Sequence, residues 1–550
     1  MVEAFTSRSG DPSVRVNGIA LHSPYDPARE ASRFLETRRP EGIPSTVVIL
    51  GEGLGYLARA ASERYPAARI VRIHYSPDLL SLASGPGAVW HPGSPRGLKS
   101  FLRSTLDELD IEGLLVVEWP PSAQAFAKVS RTANEAVRQL AMEMNGSLVT
   151  TLSMGRLWIR NAAANFLALS QVAAGRLCAA DRPVLIAASG PTLERAAAHV
   201  KRIRGSIDVW ALPSAMGCLA SAGVKPDLIV LTDPGPYTLH HLRYVGSGVP
   251  IAMPLSAARG LWDLEGDPCL PPRLVAQPGP LEQPLLDRAG VSAPLVPPHG
   301  TVTATAVELA LASTRAPVIV AGLDLCLRDI QPHARPAAFD LLLHAGSSRL
   351  HPHYAQTYER ARAQGAERLS GGTGPRVPLA LRTYAGWFSD LPLAGRAFRL
   401  LPSAVGIPGM PEVETGDLGR LVGGWSSVGG ATLSPDPGFP GLTRRRQILE
   451  EVLIEWQQDL ERAAADVRER AQEGIAALFR SPRLSLLLLN LDGQALLEVR
   501  RRKRLGKDRE AADVAVAMLD RSSVFVRCLR ERTQATATVE RGRPELRDSL

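Results

Sequence analysis

The chain has 550 residues, 45% hydrophobic and 21% charged, with a formal net charge of +8. That length exceeds one hydrophobic core and predicts about two to four domains of soluble, globular balance. No apolar run is long enough to cross a bilayer, and MVEAFTSRSGDPSV lacks a basic-then-apolar leader, so a cytoplasmic protein with no membrane partner is expected. The five cysteines are scattered, without CxxC or Cys/His clusters, which excludes a disulfide framework and a structural zinc site. The positive charge is mostly arginine without interleaved aromatics, so a nucleic-acid partner is not expected.

Residues 1–150 are read as a first α/β unit. Asp26 and Pro27 are placed as N-cap and first-turn residue of a helix. A strand at Thr46–Leu50, the turn GEGLGY (Gly51–Tyr56), a helix through Arg64 and a strand at Arg69–Ile73 give a Rossmann-type opening, with a further strand at Leu114–Val117. The carboxylate that would hold a ribose at the end of the second strand is replaced by His74. A Rossmann-like domain that binds neither dinucleotide nor S-adenosylmethionine is therefore expected.

Leu152–Ala174 reads as a helix with Trp158, Asn161 and Asn165 on one face. Its two amides serve either a ligand or a neighbouring loop. From Pro183 the pattern becomes regular, with strands at Val184–Ala187, Asp208–Leu212, Asp227–Leu231, Ile251–Pro254, Arg273–Ala276 and Pro317–Ala321 and helical patterns between several of them. This predicts an α/β domain built on a doubly wound, mostly parallel sheet, with ligands at the carboxyl ends of its strands. Those ends carry Ser189 and Gly190, Pro213 and Ser214, Thr232 and Asp233, and Gly322 and Asp324. At Ser189, Gly190, Pro191 and Thr192 the chain turns from strand into helix, a corner that suits an anion if its first N–H groups are open. An ordinary strand-to-helix turn has the same residues. The stretch Pro298-His299-Gly300-Thr301 repeats that geometry before a helix at Val302–Leu311, although a plain N-cap at Thr301 looks identical.

Residues 329–376 carry His333, His344, His351, His353, Gly346 and Gly371-Gly372 and read as a lid. Leu379–Leu391 reads as a helix holding Tyr384 and Trp387, and Gly423–Gly441 as a linker. A long amphipathic helix follows at 444–480, then further helices to about Glu531 and a polar, disordered tail. The run RRRKR (Arg500–Arg504) is a solvated helix face or a docking surface for an acidic partner.

Taken in order, WIRNAAANF (Trp158–Phe166), SGPTLE at Ser189, PDLIVLTDP (Pro226–Pro234), GTV at Gly300, GLDL (Gly322–Leu325) and PHA at Pro332 resemble the motility-associated factor family of bacterial flagellin glycosyltransferases over roughly residues 150–415. The HSPYDP and GEGLGY segments resemble the N-terminal region of spirochaete-type members. The resemblance implies an N-terminal Rossmann-like domain (1–150), a central sialyltransferase-like domain (151–425) and a C-terminal helical domain (426–550). It implies transfer of a nonulosonic acid from a CMP-sugar to Ser or Thr hydroxyls of flagellin, with no metal and no cofactor beyond that nucleotide-sugar donor. Asp324 or His333 would be general base and the other its orienter or the leaving-group acid. Ser189–Thr192 would grip the donor phosphate, and Gly300 and Thr301 the sugar carboxylate or nucleotide. Ser214, Asp233, Asn161 and Asn165 complete the expected binding set. The central stretch also resembles archaeal 6-hydroxymethylpterin diphosphokinases, a different reaction, and a non-catalytic flagellar assembly factor is a third reading. Serine before Gly190-Pro191, Leu323 and Tyr237 depart from the family pattern and bear on substrate identity. The oligomeric state is left open.

Overall fold

The computed structural model describes residues 2–244, 248–261, 270–297, 299–363, 367–368, 376–391, 393, 395–401, 405–425 and 432–541. They group into two compact units, residues 1–153 with 460–523, and residues 154–459 with the remainder from 524. The helical stretch expected as a domain at 426–550 is thus divided between the two.

In the first unit β1 (Val2–Thr6), β2 (Pro12–Val16) and β3 (Ile19–Ala20) form an antiparallel meander ahead of α1 (Pro27–Glu36). Asp26 caps α1, its side chain accepting the N–H of Arg29 at 2.8 Å. A parallel sheet follows from β4 (Thr46–Leu50), α2 (Tyr56–Arg64), β5 (Arg69–Ile73), β6 (Ala88–Trp90), α3 (Leu98–Thr105) and β7 (Leu114–Glu118), in the order β6-β5-β4-β7. Both faces of β4 are covered. Val47 and Ile49 pack towards Val14, Val16, Leu35 and Leu57, while Val48 and Leu50 pack towards Leu102, Val137 and Leu140. A strand buried on both faces needs a continuous apolar run, and TVVIL supplies it. Next come α4 (Pro120–Ala125) and α5 (Ala127–Ala168), whose 42 residues begin well before the helix expected at 152 and end earlier than expected.

The second unit carries a ten-stranded sheet. Its elements are β8 (Ala173–Arg176), β9 (Val184–Ala187), α6 (Leu193–Ile203), β10 (Asp208–Ala211), α7 (Met216–Ser221), β11 (Leu228–Val230), α8 (Thr238–Leu242), β12 (Ile251–Met253), β13 (Arg273–Leu274), α9 (Glu282–Ala289), α10 (Val302–Ser313) and β14 (Val318–Ala321). Then follow α11 (Ala338–Ala345), α12 (His353–Ala363), a β15 (Glu367–Arg368) and β16 (Arg376–Val377) hairpin, α13 (Leu379–Asp390), β17 (Ala397–Leu400), β18 (Glu412–Val413), α14 (Leu418–Val422) and β19 (Thr432–Pro435). The strand order is β18-β17-β14-β9-β10-β11-β12-β13-β8-β19, parallel except for β19 against β8. All six strands expected between 184 and 321 are present. The stretch expected as a linker, 423–441, supplies edge strand β19. The stretch expected as a lid contains α11 and α12; Gly371-Gly372 lies outside the described residues.

Among the described residues four helices follow β19: α15 (Leu442–Glu469), α16 (Ala471–Arg480), α17 (Pro482–Arg504) and α18 (Asp508–Arg541). The single helix expected at 444–480 breaks at Arg470, whose backbone is non-helical. The last helix runs ten residues beyond Glu531.

Candidate functional site

From β9 the central sheet grows in one direction through β10 to β13 and in the other through β14, β17 and β18. The switch point lies between β9 and β14, where a doubly wound sheet opens a crevice at its carboxyl edge. Two of the expected strand ends meet there. The Gly190 N–H donates to Gly322 O at 2.8 Å. A Cβ on Gly190 would stand 2.5 Å from that oxygen and 2.7 Å from Asp324 Oδ2, so glycine is required by the neighbouring chain. Asp324 accepts the Thr192 N–H at 2.8 Å and the Thr192 hydroxyl as well. The Leu193 N–H is taken by Gly190 O. An internal carboxylate thus occupies the place where Ser189, Gly190, Pro191 and Thr192 were expected to receive phosphate. An anion at that N-terminus would face Asp324 directly.

The second corner is differently built. Helix α10 runs back to the start of β14, so its N-terminus lies at the sheet's carboxyl edge. Thr301 is its N-cap, with extended backbone and no side-chain capping bond. Gly300 has φ +64°, and a Cβ there would fall 1.6 Å from the indole of Trp387, which stacks on Tyr384 at a centroid distance of 4.9 Å. Glycine therefore serves twice here, for a left-handed turn and for contact with an aromatic pair. His299 pairs with Glu308 of α10. Pro298 lies outside the described residues.

His333 does not join Asp324. No hydrogen bond links them among the described residues; the charges felt by Asp324 are Arg399 and Arg328, and that felt by His333 is Asp340. His333 packs instead on Phe339 (6.1 Å between centroids), which also contacts His241 edge-on (5.1 Å) and Tyr237 (6.3 Å). Tyr237 is exposed and His240 lies beside it. Burial lowers the imidazole pKa of His333, and holds that of His241 down at about 4, so both are neutral at pH 7. The segment carrying His333 is tied over the first corner. Ala334 N–H donates to Ser189 O, while Glu194 of α6 accepts from Gln331 Nε2 and the Arg335 N–H. Burial raises the Asp324 carboxyl pKa, opposed by its bonds to Thr192 and by Arg399.

The two amides of α5 serve loops. Asn161 Nδ2 donates to Pro234 O at 3.0 Å and Ser256 O at 3.3 Å, and Asn165 Nδ2 to Leu255 O and Ala257 O. Each side chain is buried, its Nδ2 tying the loops after β11 and β12 while its Oδ1 has no hydrogen-bond partner among the described residues. Asp233 closes a turn, Oδ1 accepting the Gly235 N–H at 2.7 Å, and is exposed. Ser214 sits half-buried after β10, with no side-chain partner among the described residues. Two further charged groups lie at this edge with no signal in the local sequence. Glu282 opens α9 fully buried, accepting from Ser256 and Gln277 N–H groups, and burial lifts its pKa to about 7. Arg399, fully buried on β17, pairs with Glu412 and faces Asp324 electrostatically. A lone charge inside a strand or helix pattern carries no local signal of its partner.

In the first unit the glycine-rich turn is filled by its own domain. His22 Nε2 accepts the Leu54 N–H at 2.9 Å and would lie 2.4 Å from a Cβ on Gly53. Ser84 O would lie 1.5 Å from a Cβ on Gly55. His74 is fully buried and burial lowers its pKa to about 4.

These features define a doubly wound α/β protein with a candidate ligand crevice at the β9/β14 switch point. Residues 158–329 match the family model described as 6-hydroxymethylpterin diphosphokinase MptE-like. The whole fold is similar to the structure of MAf glycosyltransferase from Magnetospirillum magneticum AMB-1, with a TM-score of 0.57, 14% identity, and coverage of 98% of this chain and 93% of that one. Both agree with the resemblance read from the motifs. Two uncharacterized proteins of Treponema pallidum (strain Nichols) are also similar. One is 24% identical over 305 residues, 54% of this chain and 62% of that protein, so less than two thirds of its length is spanned. The other is 29% identical over 206 residues, 34% of this chain and 68% of that protein. Among the described residues no helix is long and apolar enough to cross a membrane.

Proposed function

We propose that the chain is a glycosyltransferase that moves a nonulosonic acid from a CMP-sugar to Ser or Thr hydroxyls of flagellin. The observation that carries this reading is the open corner at Gly300 and Thr301 beside Trp387 and Tyr384, on a fold shared with a glycosyltransferase. The N–H groups of the first turn of α10, which the Thr301 side chain does not cap, suit the donor's anionic phosphate or carboxylate, and the stacked rings suit a flat base or a sugar face. Asp324 holds the neighbouring corner rigid instead of meeting substrate. His333, which burial keeps neutral at pH 7, would take the acceptor proton. Bond formation from the acceptor oxygen to the anomeric carbon accompanies loss of CMP, whose phosphate leaves as an anion.

The MptE-like match over residues 158–329 favours a second reading, diphosphate transfer from ATP to a pterin. Thermal-shift measurements with CMP, with ATP and magnesium, and with 6-hydroxymethylpterin separate the two. A ligand that binds only the folded state adds about 2.7 kcal/mol at a hundredfold excess over Kd. A shift with CMP alone supports the transferase. A joint response to ATP-magnesium and pterin, without CMP, overturns it. Silence with all three favours the assembly-factor reading.

A further inference from the structure

The basic run at the end of α17 lines a cavity of about 300 Å³ within the first unit. Its lining includes the apolar side chains of Ile43, Pro44, Leu109 and Phe479. The same lining includes the cations Arg500 and Lys503. Their electrostatic bookkeeping is incomplete. Arg504 is engaged by Glu112, through its carbonyl at 2.6 Å and its carboxylate at 3.6 Å. Arg500 gives one nitrogen to Asp110 at 3.3 Å and lies over the Phe479 ring at 5.1 Å, but its Nη1 is buried without a partner. Asp110 is shared with Arg69 at 3.7 Å. Lys503 has no ion pair among the described residues. Ser45 Oγ, also lining the cavity, is buried with no hydrogen bond. Four cations thus meet two carboxylates, and Arg500 Nη1, the Lys503 ammonium and Ser45 Oγ are left as donors without a partner among the residues that line the cavity. A solvated helix face would leave those donors in water. Buried unpartnered donors are costly, and an oxyanion satisfies them.

We propose that this cavity binds a small organic oxyanion, its charged group on Arg500, Lys503 and Ser45 and its apolar body against Phe479 and Leu109. The volume is at the lower end of the range for small-molecule sites, which fits a single ring bearing one carboxylate or phosphate.

The test is calorimetric titration of the full chain with phenyl phosphate, benzoate, inorganic phosphate and benzyl alcohol. Saturable binding of phenyl phosphate or benzoate is expected, and their ratio tells phosphate from carboxylate. Inorganic phosphate should bind more weakly, and the uncharged alcohol should give no saturable heat. Lys503→Glu, at a residue with no partner to lose, should weaken the anion about tenfold or more. Ala67→Phe, at the exposed rim, should block it with the thermal unfolding curve unchanged. The same two variants separate this cavity from the corner at Gly300, where they would change nothing. Absence of saturable binding by both aromatic anions at millimolar concentration overturns the proposal. So does equal affinity in Lys503→Glu, or inorganic phosphate binding as tightly as phenyl phosphate.

Discussion

Asp324, at the end of β14, caps the helix that follows β9 by accepting both the backbone N–H and the hydroxyl of Thr192. It joins the two strand ends at the topological switch point across 132 residues of sequence. Asp324→Ala leaves two donors without their acceptor and should cost about 1–3 kcal/mol of stability. Thr192→Val, which keeps the N–H, should cost less. Urea denaturation of both variants checks the order. Wild-type stability in Asp324→Ala would remove the capping role.

Gly190→Ala should fail structurally, not merely lose ligand. The added Cβ would press on Gly322 O at 2.5 Å and on the Asp324 carboxylate, both held by the β9/β14 junction. Backbone atoms cannot swing aside as a flexible side chain can, so a loss above about 2 kcal/mol is expected. Circular-dichroism melting decides it. An unperturbed melt with lost nucleotide binding would restore the corner as a ligand cradle.

Gly300→Ala tests the other corner. Its Cβ would overlap the Trp387 indole, so the aromatic pair must move. Trp387 is half-buried, and its displacement should change tryptophan emission while weakening CMP binding about tenfold or more. Unchanged CMP affinity alongside changed emission would place the nucleotide elsewhere.

Glu52 predicts a pH effect in the first unit. Burial raises its pKa from 4.5 to about 8, above its unfolded value. The folded state therefore holds its proton more tightly, and stability from this group is fully present below about pH 4.5 and is lost as pH rises through about 8. Glu52→Gln should flatten that decline between those limits. Denaturation at a series of pH values measures the difference between variant and wild type. Parallel curves would show that Glu52 ionises normally.

Much of the sheet was legible because its strands are short apolar runs, VLIA at 184–187 and LIV at 228–230, buried on both faces between helical stretches. Edge strands β18 and β19 were not legible. Two-residue Glu412–Val413 and proline-ending Thr432–Pro435 have no periodicity to read and depend on partners far along the chain. The candidate site divides the same way. Local chemistry located Gly190, Gly300 and Asp324, but their roles depend on which strand ends meet. Nothing near Asp324 in sequence reveals its partner Thr192. His333 was paired with Asp324 by proximity in sequence, whereas packing gives it to Phe339 and places it near His241.

Transfer itself is the most direct test. Purified flagellin incubated with the chain and CMP-pseudaminic or CMP-legionaminic acid should yield Ser- or Thr-containing peptides that gain one nonulosonic residue by mass spectrometry, with CMP released in step. His333→Ala should slow that gain about 10²–10⁴-fold while CMP still binds. Because burial lowers the His333 pKa, the wild-type rate should hold as pH falls through 6.5 and decline only below it. Unmodified flagellin with both donors, together with AMP release from ATP in the presence of 6-hydroxymethylpterin, would contradict the account.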